Sequence, residues 1–181
     1  MEEINIRSAE LRDIPALGRL LYEVHKVHSD VRPDLFKAGA RKYTDEQLEE
    51  ILQSGERPVF VAEQDGQVAG YAFCIPKQFV GDRSMTDVRT LYIDDLCVDE
   101  AARGKHIGTK LYDFVLDFAK RQGYYNVTLN VWADNKAAVK FYEKAVKAAD
   151  NNLTAPMYLR KAGLAEQAMG NSQKAAAYFE R

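Results

Sequence analysis

The sequence predicts a mixed α/β sheet domain over residues 1–149, followed by an α-helical hairpin tail over 150–181. Three observations predict it. Runs that alternate apolar and polar residues are interspersed with runs whose apolar residues recur every three or four positions, so strands and amphipathic helices share one chain. Asp65-Gly66 separates two strand-like runs, the pattern of a tight antiparallel hairpin. Later a strand-like run, a helical run and a second strand-like run follow one another, the order of a β-α-β unit.

Taken in order, Glu3-Ile-Asn-Ile-Arg-Ser8 alternates as a short strand, and Ile14, Leu17, Leu20, Leu21 and Val24 give a helix from about 11 to 27. His25 to Asp34 reads as a polar loop, with Pro33 forbidding a continued helix. Thr44-Asp-Glu-Gln47 has capping-box form and opens a helix that stops near Ser54-Gly55. Strands follow over 59–63, 68–75 and 89–98, then an amphipathic helix over about 107–121 that Gly123 ends. Residues 125–132 alternate as a strand carrying Trp132 at its end, and Asp134-Asn135 caps another helix carrying Val139, Phe141 and Tyr142.

The chain has 181 residues with Lys+Arg 25 against Asp+Glu 27, a formal net charge of −2. No long-range positive field gathers nucleic acid or anionic lipid, so an anion site has to be built locally. Two cysteines, Cys74 and Cys97, form neither a disulfide scaffold nor a zinc knuckle, and no metal site is expected. The start, Met1-Glu2-Glu3, lacks the basic and apolar blocks of a signal peptide, and no apolar run reaches the roughly 20 residues that span a bilayer. A cytoplasmic, reduced protein is the expectation.

The segment richest in chemistry is Arg103-Gly104-Lys105-His106-Ile107-Gly108-Thr109, between a strand and a helix. Unpaired N–H groups at a helix start bind anions, two glycines permit close backbone approach, and two basic side chains add charge. A pyrophosphate fits such a cradle. The spacing is neither that of the P-loop nor that of the dinucleotide fingerprint. Taken by itself, the segment reads equally as a solvated βα turn.

Five separated segments break the tie: Ile93-Asp-Asp-Leu-Cys-Val98, Arg103 to Gly108, Leu129-Asn-Val-Trp132, Asp134-Asn135 and Phe141-Tyr-Glu-Lys144. Together they resemble the GNAT family of acetyl-CoA-dependent N-acetyltransferases over about residues 3–144, in that family's order of elements. Arg103 and Gly108 match its pyrophosphate motif, Arg/Gln-x-x-Gly-x-Gly/Ala, while His106 stands at the middle glycine and has to hold a negative φ to offer its N–H. The resemblance implies a mostly antiparallel mixed sheet flanked by helices, acetyl-CoA as co-substrate, and direct attack of an amine on the thioester without a metal. It implies that Arg103, Gly104, Lys105, His106, Ile107, Gly108 and Thr109 bind the pyrophosphate. It also implies that the backbone of Leu96, Cys97 and Val98 binds pantetheine and polarises the thioester carbonyl where two strands splay at a bulge. Asn135 is expected as an N-cap and a cofactor contact, and Tyr142 as the acid that protonates the leaving thiolate. Asp94 or Asp95 is expected as the base. As neighbours on a strand they point to opposite faces, so only one meets the substrate. His25 and His28 fall where the family lines its acceptor site. The acceptor is a small-molecule or peptide amine, which the sequence does not narrow further.

After Tyr142 the family's last two strands are absent, and the tail Leu159-x-x-Ala-Gly163 with Ala175-x-x-x-Phe179 resembles one tetratricopeptide repeat sharing the preceding helix. Strand 125–132 then becomes an exposed edge, and a single repeat does not bury its own apolar face. A homo-oligomer through the edge strand or the tail is therefore expected. The rival to an active enzyme is a catalytically idle or engineered fusion of an acetyltransferase body with a repeat-like tail, serving self-assembly.

Overall fold

The computed structural model describes residues 4–84, 86–131, 135, 136 and 138–141. The elements run in the order β1 (Ile4–Ser8), α1 (Ile14–Val31), α2 (Asp45–Ser54), β2 (Val59–Gln64), β3 (Gln67–Gln78), β4 (Arg89–Val98), α3 (Ile107–Arg121) and β5 (Asn126–Leu129). Short 3-10 turns at Leu11–Asp13 and Glu100–Ala102 precede α1 and α3. One five-stranded sheet has the spatial order β1-β2-β3-β4-β5. Its first three pairings are antiparallel and β4–β5 is parallel, the geometry that the α3 crossover requires. The tetratricopeptide-like hairpin, the 150–181 unit and Tyr142 lie outside the described residues.

Helices cover both faces, so the central strands are apolar on both sides. In β2, Phe60 and Ala62 belong to the core against α3 with Leu111 and Val115, whereas Val59 and Val61 belong to the core against α1 and α2 with Leu17, Leu21 and Leu48. The Phe60 ring meets Phe114 and Phe118 of α3 edge-on, at centroid distances of 5.1 and 5.0 Å.

Local chemistry fixes the boundaries. Thr44 accepts a hydrogen bond from the Gln47 amide and Gln47 returns one to the Thr44 amide, closing the capping box that starts α2, and Gly55 at φ +65° ends it. Asp65 and Gly66 both take positive φ, +51° and +76°, as a two-residue hairpin with the sheet's twist requires. Helix α1 corrects one expectation: it continues through His25 and His28 to Val31 instead of yielding to a loop at 25. Pro33 acts only on the residue before it, and the Lys26–Asp30 pair one turn apart supports the extra turn. Strand β5 stops at Leu129, shorter than the expected 125–132, and among the described residues it forms the sheet's edge. Among those residues no helix is long and apolar enough to cross a membrane.

Candidate active site

The site exists because the pairing of β4 slips by one residue. Phe73 faces Asp95 and Cys74 faces Ile93 across the β3–β4 ladder, which makes Asp94 the extra residue of a β-bulge. Leu91, Ile93 and Leu96 consequently pack with the α3-side core, while Cys97 packs with the α1-side core. The expectation that Asp94 and Asp95 point to opposite faces is thereby corrected: the bulge brings both to one cavity. The parallel ladder to β5 ends at the same level, Ile93↔Leu129, while β4 continues beside β3 as far as Val98↔Gly70. A cavity of about 630 Å³ lies there, lined by the second half of α1, by β4 from Tyr92 to Leu96, and by Asn130, Val131, Asn135 and Ala138.

The two carboxylates have different surroundings. Asp94 accepts from Lys42 Nζ at 2.6 Å and from the Tyr43 hydroxyl at 3.2 Å. Burial is the largest single influence and opposes the charge on Lys42, but the hydrogen bond to Asp94 and the attraction of the nearby negative charges together raise its pKa. Asp95 accepts from the Tyr71 hydroxyl at 3.0 Å. Burial pushes the Asp95 carboxyl up to about 6, against the opposing pull of Lys42 and of the Tyr71 hydrogen bond. Tyr71 is fully buried, and burial together with Asp95 drives its phenol well above the ordinary range, so it stays a proton donor. His25 and His28 line the cavity from α1. Burial lowers the His28 pKa, and its ring lies 5.3 Å from that of Phe36. His25 Nε2 donates to the Lys37 carbonyl at 2.8 Å, which requires a hydrogen on that nitrogen.

Of the other sequence-predicted residues, Leu96 and Asn135 also line the cavity. Asn135 Oδ1 accepts from the Ala138 amide at 3.1 Å, and its carbonyl accepts from Val139, so it caps the last described helical residues. The Cys97 side chain is buried, its Sγ 3.9 Å from the Leu20 carbonyl, and burial pushes the thiol up to about 12, which makes it a poor nucleophile. Residues 103–109 do not line the cavity and form a separate feature. Asp99 holds the start of that turn through the Ala101 amide at 2.9 Å, and Arg103 Nε donates to the Val98 carbonyl at 3.4 Å. Gly104 takes φ +84°, and α3 then begins with Ile107 buried in the core. No side chain caps this helix, so the first-turn N–H groups of Ile107, Gly108 and Thr109 keep their capacity to bind an anion. That capacity, with Arg103 and Lys105 alongside, fits a pyrophosphate.

His106 corrects a second expectation: its φ is +62°, not negative. The left-handed conformation costs a non-glycine residue about 1 kcal/mol, and the position demands it because the chain reverses there into α3. His106→Gly is expected to stabilise the protein by about 0.5 kcal/mol, part of the relief being lost to glycine's unfolded-state freedom. A melting temperature that falls on this replacement counts against the strain.

Lys42, Tyr43 and Tyr71 were not visible as site residues in the sequence. Lys42 and Tyr43 immediately precede the Thr44 cap, which fixes where the chain enters α2, but nothing local indicates a partner more than 50 residues away. Tyr71 reads as one more apolar position of a strand.

A cleft beside a bulged strand and, separate from it, an uncapped helix start after a glycine turn are the two features that the sequence resemblance implied. The chain belongs to the acetyltransferase (GNAT) family, whose model matches residues 24–146. It is 33% identical over 104 residues to glucosamine 6-phosphate N-acetyltransferase of Arabidopsis thaliana, covering 55% of this chain and 65% of that enzyme. The matched part therefore spans just under two thirds of that relative's length. The uncharacterized N-acetyltransferase YhfO of Bacillus subtilis is 28% identical over 145 residues, 78% of this chain and 87% of that protein. Among solved structures, a mutant form of the BH1408 protein of Bacillus halodurans superposes with a TM-score of 0.74 at 27% identity, covering 78% of this chain and 90% of that one.

Proposed function

We propose that the protein transfers an acetyl group from acetyl-CoA to a primary amine by direct attack of the amine on the thioester. The observation that carries this reading is the bulge. It brings a carboxyl with a pKa of about 6 into a cavity beside the stretch of β4 that has left its parallel partner. A base with a pKa below the working pH is ionised and still able to accept a proton. Asp95 is therefore assigned as the acceptor of the amine's proton, while Asp94, tied to Lys42, orients the site. The amides of Ile107, Gly108 and Thr109 with Arg103, Gly104 and Lys105 hold the pyrophosphate, His106 at φ +62° serves only to turn the chain into α3, and the backbone of Leu96, Cys97 and Val98 holds pantetheine. When bound, acetyl-CoA supplies the activated acyl carbon. Tyr142 protonates the leaving thiolate; a phenol near 10 does so to a thiol near 8.5 only through close positioning. Asn135 has its oxygen engaged in the cap, which leaves its amide N–H₂ for the cofactor. The amine acetylated by the plant relative, glucosamine 6-phosphate, is one acceptor to test here.

Acetyl-CoA at about one hundred times its Kd is expected to raise the melting temperature by about 5–10 °C, because a ligand that binds only the native state stabilises it by about 2.7 kcal/mol. Tyr142→Phe is expected to keep that shift and to lower the rate of coenzyme A release by about tenfold or more. Absence of any thermal shift, together with no heat in calorimetry, overturns the donor assignment.

A further inference from the structure

The walls and the charge balance of the cavity together narrow the acceptor. We infer that the acceptor is a monoamine on an apolar, aromatic body, an arylalkylamine, rather than a phosphorylated or polycationic amine; this rests on the acetyltransferase reading above.

Its charge is the first ground. Among the described lining residues the carboxylates, Asp94 and Asp95, outnumber the single lysine, Lys42, by one. Lys42 neutralises Asp94 at 2.6 Å, so Asp95 is the carboxylate left to face one incoming ammonium. A second ammonium on the acceptor would have to displace Lys42. A phosphate would have to draw Lys42 off Asp94 and leave that carboxylate, with 16% side-chain exposure, without its cation. Among the described residues the lining offers it no other lysine or arginine: Lys77, which is not part of the wall, has its Nζ 3.5 Å from the centroid of the Tyr92 ring. The His28 imidazole, its pKa lowered by burial, is a weak anchor for an anion at neutral pH, and His25 spends its Nε2 hydrogen on the Lys37 carbonyl.

The apolar surface is the second ground. Leu21, Val24, Phe36, Tyr92 and Val131 supply the apolar part of the wall around the carboxylates, beside His25, His28, Asn130 and Asn135. Phe36 is held against both imidazoles of α1, at 5.8 Å edge-on from His25 and 5.3 Å from His28, so the aromatic surface is already fixed before any acceptor arrives. A ring carried two carbons from its amine can cover that surface while the nitrogen faces Asp95. A sugar phosphate would bury hydroxyls against Leu21, Val24, Phe36 and Val131, which do not pair with them.

The test measures coenzyme A release from acetyl-CoA with 2-phenylethylamine, glucosamine 6-phosphate, 1,4-diaminobutane and a peptide N-terminus. The kcat/KM for 2-phenylethylamine is expected to exceed each of the others by about tenfold or more. Phe36→Ala is expected to cut the ratio of kcat/KM for 2-phenylethylamine to that for ethylamine about tenfold, which a merely structural role would not do. Lys42→Met, which frees Asp94, is expected to move preference towards 1,4-diaminobutane. A higher kcat/KM for any other acceptor overturns the inference while the acetyltransferase reading stands. Acetyl-CoA that binds without transfer to 2-phenylethylamine overturns the acceptor class alone, whereas failure of acetyl-CoA to bind removes the donor reading beneath it.

Discussion

Asp95→Asn is expected to lower kcat/KM by about 10²–10³ and at the same time to make the protein more stable. Both effects come from one cause. Burial raises the Asp95 carboxyl from 3.8 to about 6, so the native state holds this proton more tightly than the unfolded chain does. Where a native acid has a raised pKa, its favourable contribution is fully present below the unfolded value. It is lost as pH rises through the folded value. Between about pH 4 and 6 the ionising carboxylate therefore erodes stability, by about 1–3 kcal/mol at neutral pH. The neutral amide escapes this cost and can still accept the Tyr71 hydrogen bond. The melting temperature of Asp95→Asn should exceed that of the parent by a few degrees at pH 7 and converge with it near pH 4. The activity profile gives the companion measurement. The acid limb of kcat/KM should fall near pH 6, and Tyr71→Phe, which removes the bond favouring the ionised form, should move that limb upward. Activity of Asp95→Asn within about threefold of the parent would transfer the role of base elsewhere.

Gly70→Val is expected to produce the largest loss of stability of any single change near the site. A Cβ at Gly70 would lie 2.8 Å from the Cys97 carbonyl oxygen, 3.2 Å from Leu111 Cδ1 and 3.4 Å from Ile107 Cγ2. The first of these is backbone, which cannot rotate away, and the other two are the first residue and the second turn of α3. Overpacking of this kind costs about 1–3 kcal/mol, and the backbone clash places valine at the upper end. The disturbance is also directional. It separates β4 from β3 just beyond the bulge and pushes on the start of α3, the two features assigned to holding acetyl-CoA. We expect a melting temperature lower by about 5–10 °C and acetyl-CoA affinity reduced by tenfold or more. Gly55→Ala supplies the control: at φ +65° with no atom within 4 Å, it should cost about 1 kcal/mol and leave acetyl-CoA binding unchanged. Comparable affinity loss in both variants would mean that binding follows global stability and not the local geometry.

Much of the fold was legible because its signals are local. Asp65-Gly66 supplies the two positive φ values of its hairpin, Thr44 and Gln47 supply each other's caps, and the runs of β4, α3 and β5 carry their periods in the sequence. The candidate anion site was legible for the same reason, since an uncapped helix start after a glycine turn is written in seven consecutive residues. What escaped the sequence was every feature that depends on a partner far along the chain. Helix α1 gains its last turns where a polar loop was expected, with His25 and His28 set against Phe36 and Lys37. The φ of His106 is set by the direction in which the chain must enter α3, not by the preference of histidine.

The order of strands and helices, the hairpin and the basic glycine turn were thus determined by neighbours in sequence, through backbone preference and side-chain period. The tertiary structure alone decided that two adjacent aspartates share one cavity, that Asp94 is held by Lys42 and Asp95 by Tyr71, and that burial raises the Asp95 carboxyl to about 6. The reason is that a bulge is a property of two strands in register, and burial is a property of everything packed around a carboxylate. Neither is encoded in the carboxylate's own stretch of chain.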